Sequence, residues 1–499
     1  MNNLKTLKYV LVAALMVGFT SCDSLLDDVE PSTSVSSEVV LTSEEGVDAL
    51  RASMYSKIRE NFGFTTEYFI GPSAFADETR NRPGSTRYQA LTVATGTSGG
   101  TAHLNNWGLY EIIQDANLII GAVEPSVFED PATLDLYRGE ALALRAFAMH
   151  TMVRVYGYEP GNFSVGPQAN WNAGIVIRTE PVLDLADADT RARSTVGDVY
   201  TQILSDLSDA RTLLAGENAD NRYVTEAFVD ALSARVNLYA GNWADAASAA
   251  QDAIDNFPGT LVDTQTGVAE MFDERSGNHP EAIFKIVVNS DTENSTGGGS
   301  FANNGPATYT ADGFLAQLPT QFLLDKYDAA DYRLGWYQDC TTTQLNPLTQ
   351  PTNCTGVNTN GLVSVKFGGE KGNSVDDMPM IRLAEMYLIR AEALAKDANS
   401  PAAGVTPLQT LMTARNAGTV PASALTDMTS FEDYILDERM RELGVEGHRF
   451  WDLKRLARDV RNPDGSIKMR ADSYRILAEI GSGLRNVNDL LEENPGYDE

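Results

Sequence analysis

Positive charge is what this sequence most lacks. Its 38 Lys and Arg face 69 Asp and Glu, a formal net charge of −31 over 499 residues. Such a chain is short of the cations that displace counterions from phosphates, which excludes nucleic acid as a partner. The same surplus opposes lying flat on an anionic lipid surface. Attraction of cationic partners is one reading of the acid; a solvated surface suited to a salty or exterior setting is the favoured one. Histidine is also scarce. The four, His103, His150, His279 and His448, form no HExxH, which removes the zinc-hydrolase signature. The Gly297 to Gly299 run is not followed by Lys-Ser or Lys-Thr, so it is no phosphate loop, and no GxSxG elbow is present. Acidic pairs are too numerous to single out a glycosidase pair. Asn462-Pro463-Asp464-Gly465 imitates part of a calcium loop, but Val460 and Ala471 stand where its first and last carboxylates belong, so a hairpin or β-turn is expected. No catalytic set, metal site or cofactor site emerges, and the chain reads as a binding protein rather than an enzyme.

Long apolar runs are missing too. Tyr9 to Phe19 is uninterrupted, but as a helix it rises only about 16 Å, roughly half a bilayer's hydrocarbon thickness. Lys5 and Lys8 precede it without any acid, and Thr20, Ser21 and Cys22 follow, which is the three-part pattern of a secretory signal. Cys22 at that boundary resembles a bacterial lipoprotein signal, in which the thiol is acylated and the chain is cut before it. Phe19 stands where such signals usually carry Leu, and a plain signal peptide with an incidental Cys is the alternative. Acyl chains contribute about 0.8 kcal/mol per buried methylene, so several give a stable anchor. Residues 1–21 are thus expected as a signal peptide, 22–40 as an acidic flexible tether, and 41–499 as the folded body. Only Cys340 and Cys354 remain of three cysteines, and in an oxidising exterior compartment they are expected to pair. Closing about fifteen residues in this way is worth about 3 kcal/mol. Without a nearby His or a CxxC pair they make a poor zinc site.

At this length the chain exceeds one ordinary hydrophobic core, so one very large domain or two to three fused ones are expected. The body reads as mainly helical. Apolar spacing predicts helices through Val47 to Ile58, Trp107 to Ile120, Leu134 to Tyr156, and Thr195 to Leu214. Thr225 opens a helix carrying Phe228, Ala231, Ala234 and Leu238; Gly241-Asn242 turns the chain, and a second Ala-rich helix runs from Trp243 towards Pro258. Small facing residues across a short turn make a tetratricopeptide-like hairpin. A similar pattern recurs at 380–396. Between these lie loop-rich blocks at about 61–106 and 259–375, the latter with short strands at Ala282 to Val288 and Leu362 to Phe367. Irregular stretches of that length are usually functional, and the helices are expected to present them as one face.

Two C-terminal stretches carry a family resemblance. One is Ile381-Arg382-Leu383-Ala384-Glu385-Met386-Tyr387 through Leu394; the other is Asp437-Glu438-Arg439, Arg441-Glu442-Leu443 and Glu446-Gly447-His448-Arg449-Phe450-Trp451-Asp452-Leu453-Lys454-Arg455. With Leu144-Arg145-Ala146-Phe147-Ala148 to Tyr156-Gly157 upstream, they resemble the SusD/RagB family of outer-membrane nutrient-binding lipoproteins. The resemblance implies a mainly α fold: a tetratricopeptide-like helical-pair scaffold (α-α superhelix) with a loop-rich variable region containing short β-strands. It implies a lipid-anchored outer-membrane protein, facing the cell surface, that captures oligosaccharide or polysaccharide for a SusC-like TonB-dependent transporter. Peptide capture is the alternative in the same class; a secreted glycan hydrolase and a protein-binding adaptor are those outside it. The signature's alternating charges are expected to be scaffold, because buried charge pairs fix helix geometry.

Sugar binding asks for aromatic faces and for Asn, Asp and Arg to meet hydroxyls. The candidates are Asp77, Arg80, Arg82, Tyr88, Asn105 and Trp107 in the first block, and Trp171, Tyr309, Trp336 and Tyr337 later. Each has a competing core role. Trp107 lies three residues before Tyr110 at helical spacing, and Trp336-Tyr337 follow Asp331-Tyr332-Arg333 in an expected strand that would turn one of them inward.

Overall fold

A computed structural model describes residues 40–60, 66–83, 85, 88–93, 107–160, 170–184, 188–273, 279–288, 316–339, 362–367, 376–462 and 464–497. Its principal helices are α1 (Glu44–Glu60), α2 (Tyr110–Gly121), α3 (Pro131–Tyr156), α4 (Val196–Leu213), α5 (Glu226–Ala240), α6 (Trp243–Asn256), α7 (Leu383–Asp397), α8 (Pro401–Ala414), α9 (Met428–Leu443) and α10 (Arg449–Arg455). Local chemistry fixes their ends. Asp130 caps α3 by accepting from the Ala132 amide, with Pro131 in the first turn. Thr195 accepts from the Asp198 amide and Thr225 from the Phe228 amide, starting α4 and α5. Gly241 ends α5 at φ 78°, a left-handed conformation that favours glycine.

Successive helices stack as pairs: α2 on α3, α3 on α4, α5 on α6, α6 on α7, and α7 on α8. Ala231 and Ala234 of α5, with Ala246, Ala250 and Ala253 of α6, are buried, so the two backbones approach closely. This is the helical-pair scaffold expected from the sequence. One continuous core runs from α1 to the C-terminal segment through Phe147, Phe228 and Phe284. A second fills the space between α7, α8 and α9 around Leu408, Leu411 and Phe431.

Strands are short and antiparallel in pairs: β1 (Thr79–Asn81) with β3 (Gln317–Pro319), β2 (Ala282–Ile286) with β6 (Met378–Arg382), β4 (Tyr337–Asp339) with β5 (Leu362–Ser364), and β7 (Val460–Arg461) with β8 (Ile467–Met469). β3 also lies against β5. The Asn462 to Ser466 turn joins β7 to β8, with Asp464 Oδ1 accepting from the Ser466 amide and Gly465 at φ 84°. The β7–β8 pair is therefore a hairpin, as expected. Among the described residues, no group of three or more His, Cys, Asp or Glu is placed to hold a metal ion, and no helix is long and apolar enough to cross a membrane.

Candidate functional site

The signature stretch builds a buried ion lattice. Glu442 accepts from Arg333 (3.2 Å), Arg382 (3.0 Å) and Arg415 (2.9 Å). Glu446 binds Lys366 (2.6 Å) and Arg382 (2.7 Å), Glu438 binds Arg333 (2.7 Å) and Arg441, and Glu281 closes the lattice on Arg415 (2.8 Å). Burial pushes the Glu442 carboxyl up, but Arg415, Arg382 and Arg333 outweigh it and hold it well below the usual range. Lys366 is lowered to about 8 by burial, against the pull of Glu446. Arg439 and Arg455 share Asp452, and Arg455 also grips Glu392. Every one of these groups is buried. Their charges are matched by one another, so they hold helices in place.

That lattice claims one sequence-predicted ligand residue. Asp77 is 4% exposed, and both its oxygens are taken by Arg449, at 2.9 and 3.0 Å. It ties the segment before β1 to α10 rather than facing solvent. Its neighbour Glu78 is fully buried, its carboxylate oxygens without a hydrogen bond of normal geometry, and burial lifts its carboxyl to about 7.

β1 itself is two-sided. Asn81 accepts from Thr92 Oγ1 (2.6 Å) and from Gln317 Nε2, while Thr79 Oγ1 meets Gln317 Oε1 at 3.0 Å. Strand alternation puts Arg80 on the other side, and Arg82 follows the strand's last residue. Both are half-buried. The Arg82 amide donates to the Ala316 carbonyl (2.9 Å), while its Nε is buried without an acceptor. Tyr88 follows at φ 58°, half-buried against the core, its carbonyl receiving the Thr92 amide. Thr92, whose hydroxyl donates to both Asn81 Oδ1 and the Tyr88 carbonyl, ties Tyr88 to the Asn81 side of β1.

Trp107 and Trp171 form a second group. Trp107 meets Tyr156 edge-on at 5.2 Å, and Arg193, whose guanidinium donates to the Tyr156 carbonyl (2.7 Å), sits 5.7 Å over the Trp171 ring. Burial lowers Arg193 to about 10. The Trp171 indole donates to Asn494 Oδ1 at 2.9 Å. Trp107 lines a cleft of about 200 Å³ with Tyr110, Gln114, Asn117, Arg178 and Asn488. Both tryptophans are half-buried, so each keeps an accessible edge beside hydrogen-bonding groups.

Trp336 and Tyr337 are corrections. The expected strand is a helical turn over Tyr332–Trp336, started by Asp331 accepting from the Arg333 amide, and only Tyr337 stands in a strand, β4. Trp336 is 0% exposed, its indole donates to the Val268 carbonyl (2.6 Å), and Lys366 lies 4.2 Å over its ring. Tyr337 is 9% exposed, with its hydroxyl against Tyr327. Neither offers a ring face to a ligand. Asn105, Tyr309, Cys22, Cys340 and Cys354 lie outside the described residues. A larger cleft of about 710 Å³, lined by Asn218, Asn221, Thr225, Phe257, His279 and Lys285 among others, was not foreseen. Its residues come from separate stretches of the chain, mostly loops and helix ends, with no shared spacing, so the sequence carries no signal for it.

Two family models match the chain: "SusD family" over residues 340–475 and "Starch-binding associating with outer membrane" over residues 25–238. SusD-like protein P38 of Formosa agariphila is 25% identical over 491 residues, covering 91% of this chain and 92% of its own. Among solved structures, a SusD superfamily protein from Bacteroides thetaiotaomicron superposes with a TM-score of 0.74 at 22% identity, covering 91% of this chain and all of its own. A SusD-like carbohydrate binding protein from Bacteroides vulgatus gives 0.71 at 18% identity, over 90% of this chain and 97% of its own. The helical-pair fold, the buried signature and the two family matches agree, and the chain belongs to the SusD/RagB family.

Proposed function

We propose that this chain is a surface lipoprotein, acylated at Cys22, that captures oligosaccharide and passes it to a partner TonB-dependent transporter of the outer membrane without cleaving it. The observation that carries the reading is the match over residues 25–238 to a family described as starch-binding and outer-membrane associating. That stretch contains the candidates Arg80, Arg82, Tyr88, Trp107 and Trp171. The chemistry suits sugars: half-buried rings supply apolar faces, and neighbouring amides and guanidinium groups supply hydroxyl partners. The solved carbohydrate-binding relative supports the same choice.

Titration calorimetry of the protein beginning at residue 23 against polysaccharides and peptides tests it. Glycan binding without release of reducing sugar is expected. Binding of peptides with no glycan bound would overturn it. Cys22→Ala should abolish labelling by radioactive fatty acid and release the protein from membranes, and the transporter should co-purify with the acylated form alone.

A further inference from the structure

We propose that the cleft of about 710 Å³ beside β2 is a second seat for glycan and takes an uncharged oligosaccharide; this rests on the glycan-capture reading above. Three stretches wall it: Asn218 to Ala227, where α4 passes into α5, Phe257 to Gly259 after α6, and His279 to Val287 along β2. It shares no residue with the Trp107 cleft. Its size lies within the roughly 300–1,000 Å³ of small-molecule sites. Arg222, Lys285 and Val287 also line a neighbouring cleft of about 390 Å³, whose wall includes Tyr223, 37% exposed. The two adjoin along those shared residues, so a chain of several sugars suits them better than a single ring.

These stretches offer a donor and an acceptor already fixed in place. Asn218 Oδ1 accepts from the Ala227 amide (2.9 Å), and among the described residues its Nδ2 has no partner. Asn221 is the reverse: its Nδ2 donates to the Ala282 carbonyl (2.8 Å), and its Oδ1 has none. Both free atoms are open to solvent. Each side chain is pinned by its other end, so little freedom is lost when a ligand binds. Beside them Phe257 is half-buried, and Gly259 leaves its ring edge uncovered, since a Cβ there would stand 2.4 Å from it. A ring for the apolar face of a sugar and amides for its hydroxyls are what recognition of a sugar asks for.

Other ligand chemistries fit less well. Each charged lining group already has its opposite: Asp220 holds Arg222 (2.9 Å), and Lys285 holds Asp377 (2.7 Å). Burial keeps the His279 imidazole well below its ordinary pKa, hence uncharged. A charged ligand therefore meets no unmatched charge. A purely apolar one would cover the two asparagines and leave their free groups unsatisfied. A peptide would add to the free edge of β2, but Asn221 occupies that edge: its carbonyl accepts from the Lys285 amide (3.0 Å) while its side chain takes the Ala282 carbonyl. A hydroxyl both donates and accepts, so a sugar can meet Nδ2 of one asparagine and Oδ1 of the other.

The test is titration calorimetry of the mature protein, Ala219→Trp and Phe257→Leu against maltohexaose, laminarihexaose, mannohexaose, an oligogalacturonide and oligo-alanine. Ala219 is exposed and lines the cleft, so a Trp there fills it without breaking a hydrogen bond. At least one neutral oligosaccharide should bind wild type, and Ala219→Trp should weaken one of its binding steps about tenfold or more at an unchanged melting temperature. Phe257→Leu keeps the apolar bulk but loses the ring, and should weaken the same step about threefold or more. If Phe257→Leu does not fold, Ala219→Trp decides alone. Neutral oligosaccharide bound equally by wild type and Ala219→Trp overturns this inference while leaving glycan capture standing, and so does a loss confined to the oligogalacturonide or the peptide. Binding of no saccharide of any kind overturns the glycan reading, and this inference with it.

Discussion

Replacing Glu442 with Gln should destabilise the protein by about 3–5 kcal/mol, because it unbalances a lattice that is otherwise neutral. Arg333, Arg382, Arg415, Arg441 and Lys366 are bridged by Asp331, Glu438, Glu442, Glu446 and Glu281, five cations against five carboxylates. Nearly all are fully buried, with Glu442 at 0% exposure. The substitution keeps the shape but removes one charge and points an amide donor at guanidinium groups that are themselves donors. Removing one partner of a buried pair typically costs about 3–5 kcal/mol. At about 2.1 cal/mol/K of unfolding entropy per residue, that amounts to a fall of about 3–5 °C in melting temperature for a chain of this size. Calorimetry across pH adds a signature that mere loss of packing lacks. Glu442 is held well below its ordinary value, so its stabilisation is complete above the unfolded carboxyl pKa and is lost as pH falls towards the folded one. The gap between wild type and Glu442→Gln should therefore narrow below about pH 4.5. A melting temperature shift under about 1 °C at neutral pH would refute the lattice argument, as would a gap that does not change with acid.

Glu78→Gln should behave in the opposite sense: burial raises this carboxyl to about 7, so wild type loses stability as pH climbs from about 4.5 to 7. The variant should match wild type near pH 4.5 and exceed it by about 3 kcal/mol at pH 8, read by urea denaturation. Gly447→Ala should cost at least about 3 kcal/mol or prevent folding, since φ is +80° and a Cβ would lie 2.0 Å from the Tyr68 carbonyl oxygen. Soluble yield and melting temperature check it. Thr225→Ala removes the oxygen that accepts from the Phe228 amide at 3.1 Å and should lower stability by about 1 kcal/mol, visible as a shifted urea midpoint at constant slope.

The helices were legible because their causes are local. Thr225, Gly241 and the alanines of α5 and α6 each act within a few residues, so caps, turn and close packing can be read in order along the chain. The alternating charges around Glu442 were legible as scaffold for the same reason: ionisable groups that dense on two adjoining helices must be either neutralised or exposed. Asp77 was not legible, because its role is set by Arg449, 372 positions away, and nothing beside it in sequence announces the pair. Trp336 was misplaced because a polar Asp-Tyr-Arg stretch resembles an edge strand until Asp331 turns to cap its own chain and Arg333 is drawn into the lattice.

The same contrast separates positions that can vary from positions that cannot. Glu438, Glu442 and Glu446 are held by cations supplied from the helical pairs and from the segments around β4, β5 and β6, so almost any substitution there disturbs several partners together. Arg80 and Arg82 answer to no carboxylate among the described residues, and altering them strands nothing. A fold arranged in this way is fixed where its charges hold one another and can vary where, as at Arg80 and Arg82, no ion pair among the described residues depends on the side chain.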